Sequence, residues 1–228
     1  MLHSVAADYE TVRVMKNSPR GSVLLLQNKQ NGKRLVFRHY EGNGEVYRKL
    51  LPITCPYLPQ IMEVAEENGR IAVLEEYIEG DSLAELLRGV CFTAAEARET
   101  TWQLCQALWV LHSMGAVHRD VKPENVILRG RQAVLIDFDA SRLFKGEHSA
   151  DTRILGTTGY AAPEQYGIAQ TDERADIYSL GVLLNIMLTG KHPSKELPHG
   201  RWGRVVQKCT MVNPQKRYRS ALSLMEAL

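Results

Sequence analysis

The chain has 228 residues, of which 44% are hydrophobic and 24% charged, as expected for a protein with a sizeable core. Its net charge of +2 argues against a nucleic-acid-binding module that depends on bulk positive charge. The sequence contains no apolar run of the roughly 18 residues that a membrane span needs, and its start does not resemble a signal peptide. The cysteines are far apart, which favours reduced thiols in a cytoplasmic protein over a zinc or redox site. They are Cys55, Cys91, Cys105 and Cys209.

The first 80 residues are predicted to form a mostly antiparallel sheet with one short helix. Two Asn-Gly dipeptides, Asn31-Gly32 and Asn68-Gly69, are typical of β-hairpin turns. The stretch 45–51 is the helical candidate. Apolar runs and alternation predict strands at 9–14, 22–27, 34–38, 61–65 and 71–74.

The later part of the chain is predicted to be mainly helical. Segments 82–85 and 93–96 each begin with Ser or Thr and end with Glu, which is the spacing of a capping box. The second segment begins a helix that is predicted to reach about Met114 and to end at Gly115. Further helical sequence runs from about 172 to the end of the chain. These patterns predict an α+β fold.

Eight polar-rich residues follow the long helix, in the order His118-Arg119-Asp120-Val121-Lys122-Pro123-Glu124-Asn125. An aspartate such as Asp120 is suited to accept or orient the proton of a substrate hydroxyl. Lys122 is suited to neutralise charge on a transferred phosphoryl group, and Asn125 to bind a metal ion through its amide oxygen. The alternative interpretation is a polar turn that precedes a strand.

Three further motifs follow in a fixed order. Asp137-Phe138-Asp139 comes after an apolar run, Ala162-Pro163-Glu164 comes next, and Asp176 lies at the start of an apolar helical stretch. In sequence, order and spacing these motifs resemble the protein kinase family, and the spelling APEQY resembles its bacterial serine/threonine members. The resemblance is strong from about Glu75 onward and weak before it.

The resemblance implies one protein kinase domain over residues 1–228, with ATP and Mg²⁺ or Mn²⁺ as cofactors. A small lobe with an antiparallel sheet and one helix would cover about 1–76, a hinge 77–80, and a mainly helical lobe 81–228. The reaction would move the γ-phosphoryl group of ATP to Ser or Thr hydroxyls of a protein. No nucleic-acid partner and no membrane segment are expected.

The resemblance also implies a role for each motif residue. Asp120, Lys122 and Asn125 would be catalytic, and Asn125 and Asp137 would bind the metal. The implied structural residues are His118, packed on Phe138, Asp176, which would hold the catalytic-loop backbone, and the ion pair Glu164–Arg217. The implied ATP-binding residues are Gly21, Val23, Val36, Arg38, Glu45, Glu76, Ile78 and Ile127, of which Glu76 and Ile78 would act through the backbone.

Residues 140–160 would form the activation segment. Thr157 lies in a Gly-Thr-Thr-Gly-Tyr stretch and would bond Asp120 and Lys122. Ser149 and Thr152 are the candidate phosphorylation sites, and an unmodified polar loop is the alternative. Arg119 is suited to pair with a phosphate on this segment.

The small-lobe sequence departs from the family pattern where ATP would bind. Of the glycine-rich loop only Gly21 and Val23 remain. The side chains of Lys16, Ser18 or Arg20 would contact phosphate instead, and a solvated hairpin tip that contacts nothing is the alternative. Arg38 replaces the usual lysine of strand three, and Glu75 replaces a usually apolar residue or threonine. We hypothesise that Arg38 bridges Glu45 and Glu75, with Glu41 as a fallback for Glu45.

The third departure is Asp139, which replaces the last glycine of the Asp-Phe-Gly motif. It would add a carboxylate near the metals or act as a capping side chain at a turn. The poor glycine-rich loop and Arg38 motivate a pseudokinase as the alternative function. A small-molecule kinase of the antibiotic-phosphotransferase type is disfavoured by the Gly-Thr-Thr-Gly-Tyr-Ala-Ala-Pro-Glu segment, which shapes a peptide-docking surface in protein kinases.

Overall fold

The computed structural model describes residues 7–144, 157–167 and 171–228. The chain forms two compact units. Unit 1 comprises Met1–Cys55 and Pro59–Ile78, and unit 2 comprises Pro56–Leu58 and Glu79–Leu228. The sheet of unit 1 and the helices of unit 2 confirm the α+β class predicted from the sequence.

Unit 1 is a five-stranded antiparallel sheet with the strand order β1-β2-β3-β5-β4 and one short helix, α1. The five predicted strands are all present, and each extends beyond its predicted bounds. The elements are β1 (Tyr9–Ser18), β2 (Gly21–Asn28), β3 (Arg34–Glu41), α1 (Glu45–Leu50), β4 (Ile61–Glu67) and β5 (Arg70–Glu76).

The hairpin turns of unit 1 follow from local chemistry. Asn68 and Gly69 have φ angles of 52° and 74°, which suits the two-residue turn predicted between β4 and β5. Gly32 has a φ of 72°, and the Asn28 side chain accepts two backbone N–H bonds within that turn. Both Asn-Gly predictions are therefore confirmed.

Strands β3 and β5 are buried on both faces of the sheet, and they carry the charged residues Arg38 and Glu75. One face contributes Leu35, Phe37 and Leu74 to an apolar cluster. On the opposite face the register places Val36 across from Glu75 and Arg38 across from Val73. Helix α1 buries its apolar side chains Val46, Tyr47 and Leu50.

Unit 2 is mainly helical, with short strands around the predicted catalytic loop. Its strands form the sheets β6-β8-β9 and β10-β7. The helices are α2 (Leu83–Leu86), α3 (Ala94–Ser113), α4 (Arg174–Thr189), α5 (Gly200–Cys209) and α6 (Ala221–Met225). The strands are β6 (Asp81–Ser82), β7 (Ala116–Val117), β8 (Val126–Arg129), β9 (Gln132–Leu135) and β10 (Arg142–Leu143), and short 3₁₀ turns span Pro123–Asn125, Pro163–Tyr166 and Pro214–Lys216.

The predicted helix caps are confirmed. Segments 82–85 and 93–96 both form reciprocal capping boxes, which satisfy the first free N–H groups of α2 and α3. Gly115 follows the end of α3 with a φ of 72°, a conformation that favours glycine. Helix α3 thereby delivers the chain directly to β7 and the loop that follows it.

Two sequence expectations about the whole chain can be compared with the structure. Within the described ranges, none of the helices is both long and apolar enough to cross a membrane. All four cysteines are free thiols, as predicted. Burial raises the pKa of the Cys105 and Cys209 thiols well above the ordinary range, so both are held in the unreactive protonated form.

Candidate active site

The loop 118–125 lies between β7 and β8, and Asp176 of α4 fixes its backbone. The Asp176 carboxylate accepts the N–H of His118 at 2.8 Å and the N–H of Arg119 at 2.7 Å. Asp176 is fully buried, and burial alone would raise its pKa. Its bonds to His112 and to the loop amides outweigh that effect and hold the pKa below the ordinary value. The predicted contact of Asp176 with the loop backbone is confirmed.

Three side chains contact Asp120. Thr157 donates its hydroxyl to Asp120 Oδ1 at 2.7 Å and accepts from Lys122 Nζ at 2.8 Å. Lys122 Nζ also lies 2.7 Å from Asp120 Oδ2. Asn125 Nδ2 donates to the Asp120 backbone oxygen at 2.8 Å and to Oδ2 at 3.0 Å. The predicted contacts of Thr157 are confirmed, and a carboxylate, a cation and an amide are held together in one network.

His118 supports the loop from within the core. Its ring contacts Phe138 edge-on, with 5.5 Å between centroids. Nδ1 accepts the N–H of Asp120 at 3.3 Å and Nε2 lies 3.2 Å from the Ile136 oxygen, an arrangement that suits the neutral tautomer with hydrogen on Nε2. Burial lowers the pKa of His118 although nearby carboxylates oppose that shift. The predicted packing of His118 on Phe138 is confirmed, and its structural role stays a prediction that the engagement of both ring nitrogens supports.

Asp137 follows β9 and adopts a left-handed backbone conformation with a φ of 68°. Its Oδ1 accepts the N–H of Asp139 at 3.3 Å. The described residues contain no cluster of three or more His, Cys, Asp or Glu side chains that would form a complete metal cage. The donor set of Asn125 and Asp137 instead fits Mg²⁺, which takes one or two protein oxygens together with substrate phosphates. The two Nδ2 bonds to Asp120 orient the Asn125 amide and direct its oxygen away from Asp120.

The ion pair Glu164–Arg217 is present as predicted. Arg217 Nη1 and Nη2 donate to the two carboxylate oxygens at 2.6 and 2.8 Å. The same guanidinium donates to the backbone oxygens of Met211, Arg174 and Val212. Its side chain is completely buried, so it ties the segment after residue 160 to the last helices of unit 2.

Sequence reasoning missed three side chains that hold the same loop. His112 bonds Asp176 through Nε2 at 2.9 Å. Gln165 donates to the Arg119 backbone oxygen at 2.9 Å, and Ser141 donates to the His118 backbone oxygen at 3.2 Å. The signal for Gln165 was its position beside Ala162-Pro163-Glu164. His112 and Ser141 gave no local signal, because their partners lie far away in sequence.

In unit 1, the two residues that depart from the family pattern face each other. Arg38 Nε donates to Glu75 Oε1 at 2.7 Å, and the two residues are only 5% and 2% exposed. They lie diagonally across β3 and β5 on the same face of the sheet. The Glu75 part of the hypothesis is confirmed, and the pair buries its two charges together.

The proposed contact between Arg38 and Glu45 stays a prediction. Glu45 begins α1, and its carboxylate accepts from Asn43 Nδ2 at 2.9 Å. Glu41, the fallback, forms an exposed ion pair with Arg70 at 3.3 Å. The contact between Arg38 and Glu75, at 2.7 Å, is the part of the hypothesis that is confirmed.

The poor glycine loop forms an ordinary tight hairpin between β1 and β2. Ser18 donates to the Gly21 backbone oxygen at 3.0 Å. A side chain at Gly21 would come within 2.3 Å of the His39 oxygen on β3, so the close approach of the strands requires this glycine. Val23 and Val36 are buried on the inner strands. The packing of β2 against β3 is thus a sufficient reason for glycine at position 21, apart from any contact with a nucleotide.

The remaining predicted ATP contacts are divided between the two units. In unit 1, the Glu76 N–H donates to the Gln60 oxygen at 2.9 Å, so a contact from Glu76 to adenine would use its carbonyl group. Ile78 is buried in the same unit, and Ile127 is half-buried on β8 of unit 2. Ser149 and Thr152 lie outside the described residues.

A sequence profile of the protein kinase domain matches residues 39–225, which is most of the chain. The chain belongs to the protein kinase domain family. The matched part of this kinase domain begins directly after Arg38, so β1, β2 and most of β3 lie outside the match. The start of the match at residue 39 agrees with the weak resemblance of the first strands to the kinase family.

Curated kinases share this domain at about 30% identity. The serine/threonine-protein kinase pkn2 of Myxococcus xanthus is 29% identical over 81% of this chain and 25% of its own length. PknA of Nostoc is 32% identical over 75% of this chain and 35% of its own length. Mitogen-activated protein kinase kinase 1 of Arabidopsis thaliana is 28% identical over 88% of this chain and 60% of its own length. The kinase domain thus spans between a quarter and three fifths of these relatives.

Proposed function

We propose that this kinase domain transfers the γ-phosphoryl group of ATP to Ser and Thr hydroxyls of a protein, including its own. The observation that carries the proposal is the network in which Thr157, Lys122 and Asn125 all bond Asp120. The similarity to bacterial proteins named as serine/threonine kinases supports the same reaction.

Each member of the network has a role in the proposed reaction. Asp120 orients the acceptor hydroxyl and takes its proton, because Thr157 and Asn125 fix the direction of the carboxylate. Lys122 lies 2.7 Å from Asp120 and places a positive charge where the transferred group gains negative charge. The network therefore supplies positioning and charge, which are the main requirements of phosphoryl transfer.

Asn125 and Asp137 would hold Mg²⁺, or Mn²⁺ in its place. The bound ion would neutralise negative charge on the phosphates of ATP. In unit 1, Arg38 would bind those phosphates, and Glu75 would keep its guanidinium in one orientation. Adenine would contact Val23, Val36 and Ile127, and its edge would meet the backbone of Glu76 and Ile78.

Regulation and location complete the proposal. Phosphate on Ser149 or Thr152 would pair with Arg119, which is 1% exposed within the catalytic loop. We place the protein in the cytoplasm, since reduced, widely spaced cysteines are typical of that compartment.

A pseudokinase is the weaker alternative. It is motivated by Arg38 and the poor glycine loop, both of which lie in unit 1. A scaffold without catalysis does not explain why Asp120, Lys122, Asn125 and Asp137 all remain, three of them in one hydrogen-bonded group. The named relatives do not favour it either.

The decisive experiment measures transfer of radiolabelled phosphate from ATP to a general acceptor protein, with Mg²⁺ or Mn²⁺. We expect transfer by the native chain and its loss, by about a factor of 10²–10⁴, in Asp120→Asn. Glu124→Gln is the matched control, because it makes the same carboxylate-to-amide change on an exposed residue of the same loop. Transfer by Asp120→Asn at the native rate would contradict the assignment of Asp120.

Nucleotide binding separates the two functions. Metal-dependent ATP binding without transfer by the native protein would establish the pseudokinase, and absence of binding would establish a partner surface.

The role of Arg38 is tested in the same assay. Loss of ATP binding in Arg38→Ala and its retention in Arg38→Lys would support a charge role, whereas unchanged binding in both variants would refute it.

A further inference from the structure

Charge is distributed unevenly in the C-terminal part of unit 2. Residues 197–225 contain six of the 28 Lys and Arg residues and none of the 26 Asp and Glu residues. The chain as a whole has a net charge of only +2, so the remaining residues carry more acids than bases. This stretch is therefore a local positive region on an otherwise acidic chain.

Helix α5 presents part of this charge on one side. Arg201, Arg204 and Lys208 are spaced three and four residues apart along the helix, and all three are exposed. The other side of α5 buries Val205, Val206 and Cys209 in unit 2. Because the apolar side anchors the helix, the cations face solvent.

The chain after α5 adds two more cations to the same region. Lys208 Nζ lies 4.3 Å from the centroid of the Tyr218 ring, which brings the last turn of α5 beside residues 216–219. Lys216 and Arg219 flank this contact and are exposed. We define the basic face as Arg201, Arg204, Lys208, Lys216 and Arg219.

An apolar tip, formed by Met211 and Val212, lies in sequence between α5 and the last two cations of the basic face. Val212 is 75% exposed, more than any other large apolar side chain in the described ranges, and Met211 is 41% exposed. The buried Arg217 fixes this backbone, because it donates to the Met211 oxygen at 2.7 Å and to the Val212 oxygen at 3.2 Å. The bonds from Arg217 thus fix the backbone of the apolar tip while its side chains are exposed.

Acidic residues of the described ranges also lie close to the basic face. Asp172 and Glu173 line a cleft together with Arg219. Asp172 forms an ion pair with Arg174, which also lines that cleft. Glu226 follows α6 directly and precedes Ala227, whose backbone oxygen accepts from Arg201 at 3.0 Å. These acidic neighbours reduce the positive potential near Arg219 and Arg201.

We propose that the basic face and its apolar tip dock this protein on the surface of an anionic phospholipid bilayer. Clustered Lys and Arg side chains are attracted to negative headgroups, and an apolar side chain between them partitions into the headgroup boundary. An acidic protein would satisfy the cations but would have to supply a pocket for Val212. A bilayer accommodates both features without such a pocket.

The test is sedimentation of the full chain with vesicles of phosphatidylglycerol and phosphatidylcholine, beside vesicles of phosphatidylcholine alone. We expect binding to the anionic vesicles that weakens as salt is raised. The triple variant Arg204→Glu, Lys208→Glu, Arg219→Glu is expected to lose about a hundredfold in affinity. Val212→Ser is expected to lose about tenfold and to keep the salt dependence of the native protein.

The matched control reverses three exposed cations elsewhere, with Arg13→Glu, Lys33→Glu and Arg88→Glu, and should bind like the native chain. Thermal unfolding followed by circular dichroism establishes that every variant is folded, without reference to kinase activity. Equal binding to both vesicle types, or no change in the Arg204, Lys208 and Arg219 variant, would overturn the proposal. Binding to polyglutamate without binding to vesicles would overturn it in favour of an acidic protein partner.

Discussion

The two units stabilise buried charge in different ways. In unit 2, Asp176 accepts two backbone N–H groups, and Arg217 donates to three backbone carbonyl groups in addition to Glu164. In unit 1, the Arg38–Glu75 bond joins two side chains on neighbouring strands. The buried charges of unit 2 thus fix the course of the backbone. The Arg38–Glu75 bond of unit 1 fixes the two side chains to each other.

This difference explains the departure from the kinase pattern at Arg38 and Glu75. A charge bonded to several backbone groups cannot be exchanged without rebuilding the loops that it holds, and unit 2 keeps those residues. A side-chain pair can be exchanged if both members change together. Arg38 and Glu75 therefore represent one coupled departure instead of two separate defects.

The largest effect is expected from Arg217→Ala in unit 2. It leaves the Glu164 carboxylate and three backbone oxygens without this donor, so unit 2 should lose about 3–5 kcal/mol of stability. Urea unfolding followed by tryptophan fluorescence measures this, because Trp102, Trp109 and Trp202 all lie in unit 2. Arg219→Ala, an exposed arginine two residues away, should change stability by less than about 0.5 kcal/mol. Similar midpoints for the two variants would contradict this account of Arg217.

Arg38→Ala tests the coupled pair of unit 1. It leaves a carboxylate buried without its cation and should destabilise unit 1 by about 3–5 kcal/mol. The double variant Arg38→Met, Glu75→Leu removes both charges and should restore most of that stability without restoring nucleotide binding. Amide hydrogen exchange in β3 and β5 is the measurement, since the tryptophans do not report on unit 1. A double variant as unstable as Arg38→Ala would show that the two positions are independent.

The sequence predicted the features that depend on local spacing. The Asn-Gly turns, the two capping boxes and the 118–125 loop are encoded within a few residues, and each appears where it was predicted. Strand β1 extends from Tyr9 to Ser18, well beyond the predicted 9–14. Its residues are exposed on both faces, so burial sets no limit that the sequence could record. Local patterns thus predict that an element exists more reliably than they predict the residue at which it ends.

Contacts between distant residues required either the family resemblance or the structure. Asp176 and Arg217 were placed by the resemblance, and their contacts are confirmed. His112 meets Asp176 across 64 residues of sequence, and Gln165 meets Arg119 across 46. The sequence of a single segment contains no information on its distant partners. The contacts of His112 and Gln165 therefore became visible only in the folded structure.

Thr157→Val tests whether the Asp120 network acts as a unit. The change removes a hydroxyl that donates to Asp120 and accepts from Lys122, and both partners must reorganise. A bond of this kind is worth about 1–3 kcal/mol, so transfer should slow by roughly tenfold to a hundredfold. Thr157→Ser keeps the hydroxyl and should keep most of the rate. Equal rates for Val and Ser variants would mean that Thr157 only packs.

The smallest effect is expected from Asp139→Gly, which restores the usual family residue. The described non-glycine residues with positive φ are Asn68, Arg119 and Asp137, so Asp139 occupies a backbone conformation that suits any residue. Glycine would gain nothing in the folded state and would add freedom to the unfolded chain. We expect a loss of about 0.4–1 kcal/mol in urea unfolding, with an unchanged rate of phosphate transfer.

The Asp139→Gly rate also decides between the two roles considered for this carboxylate. The bond from the Asp139 N–H to Asp137 Oδ1 is a backbone contact that glycine retains. A carboxylate that contributes to metal binding would instead show itself as a higher Mg²⁺ requirement in the glycine variant. Titration of transfer against Mg²⁺ in both proteins therefore separates a turn residue, with identical curves, from a metal-site residue, with shifted ones.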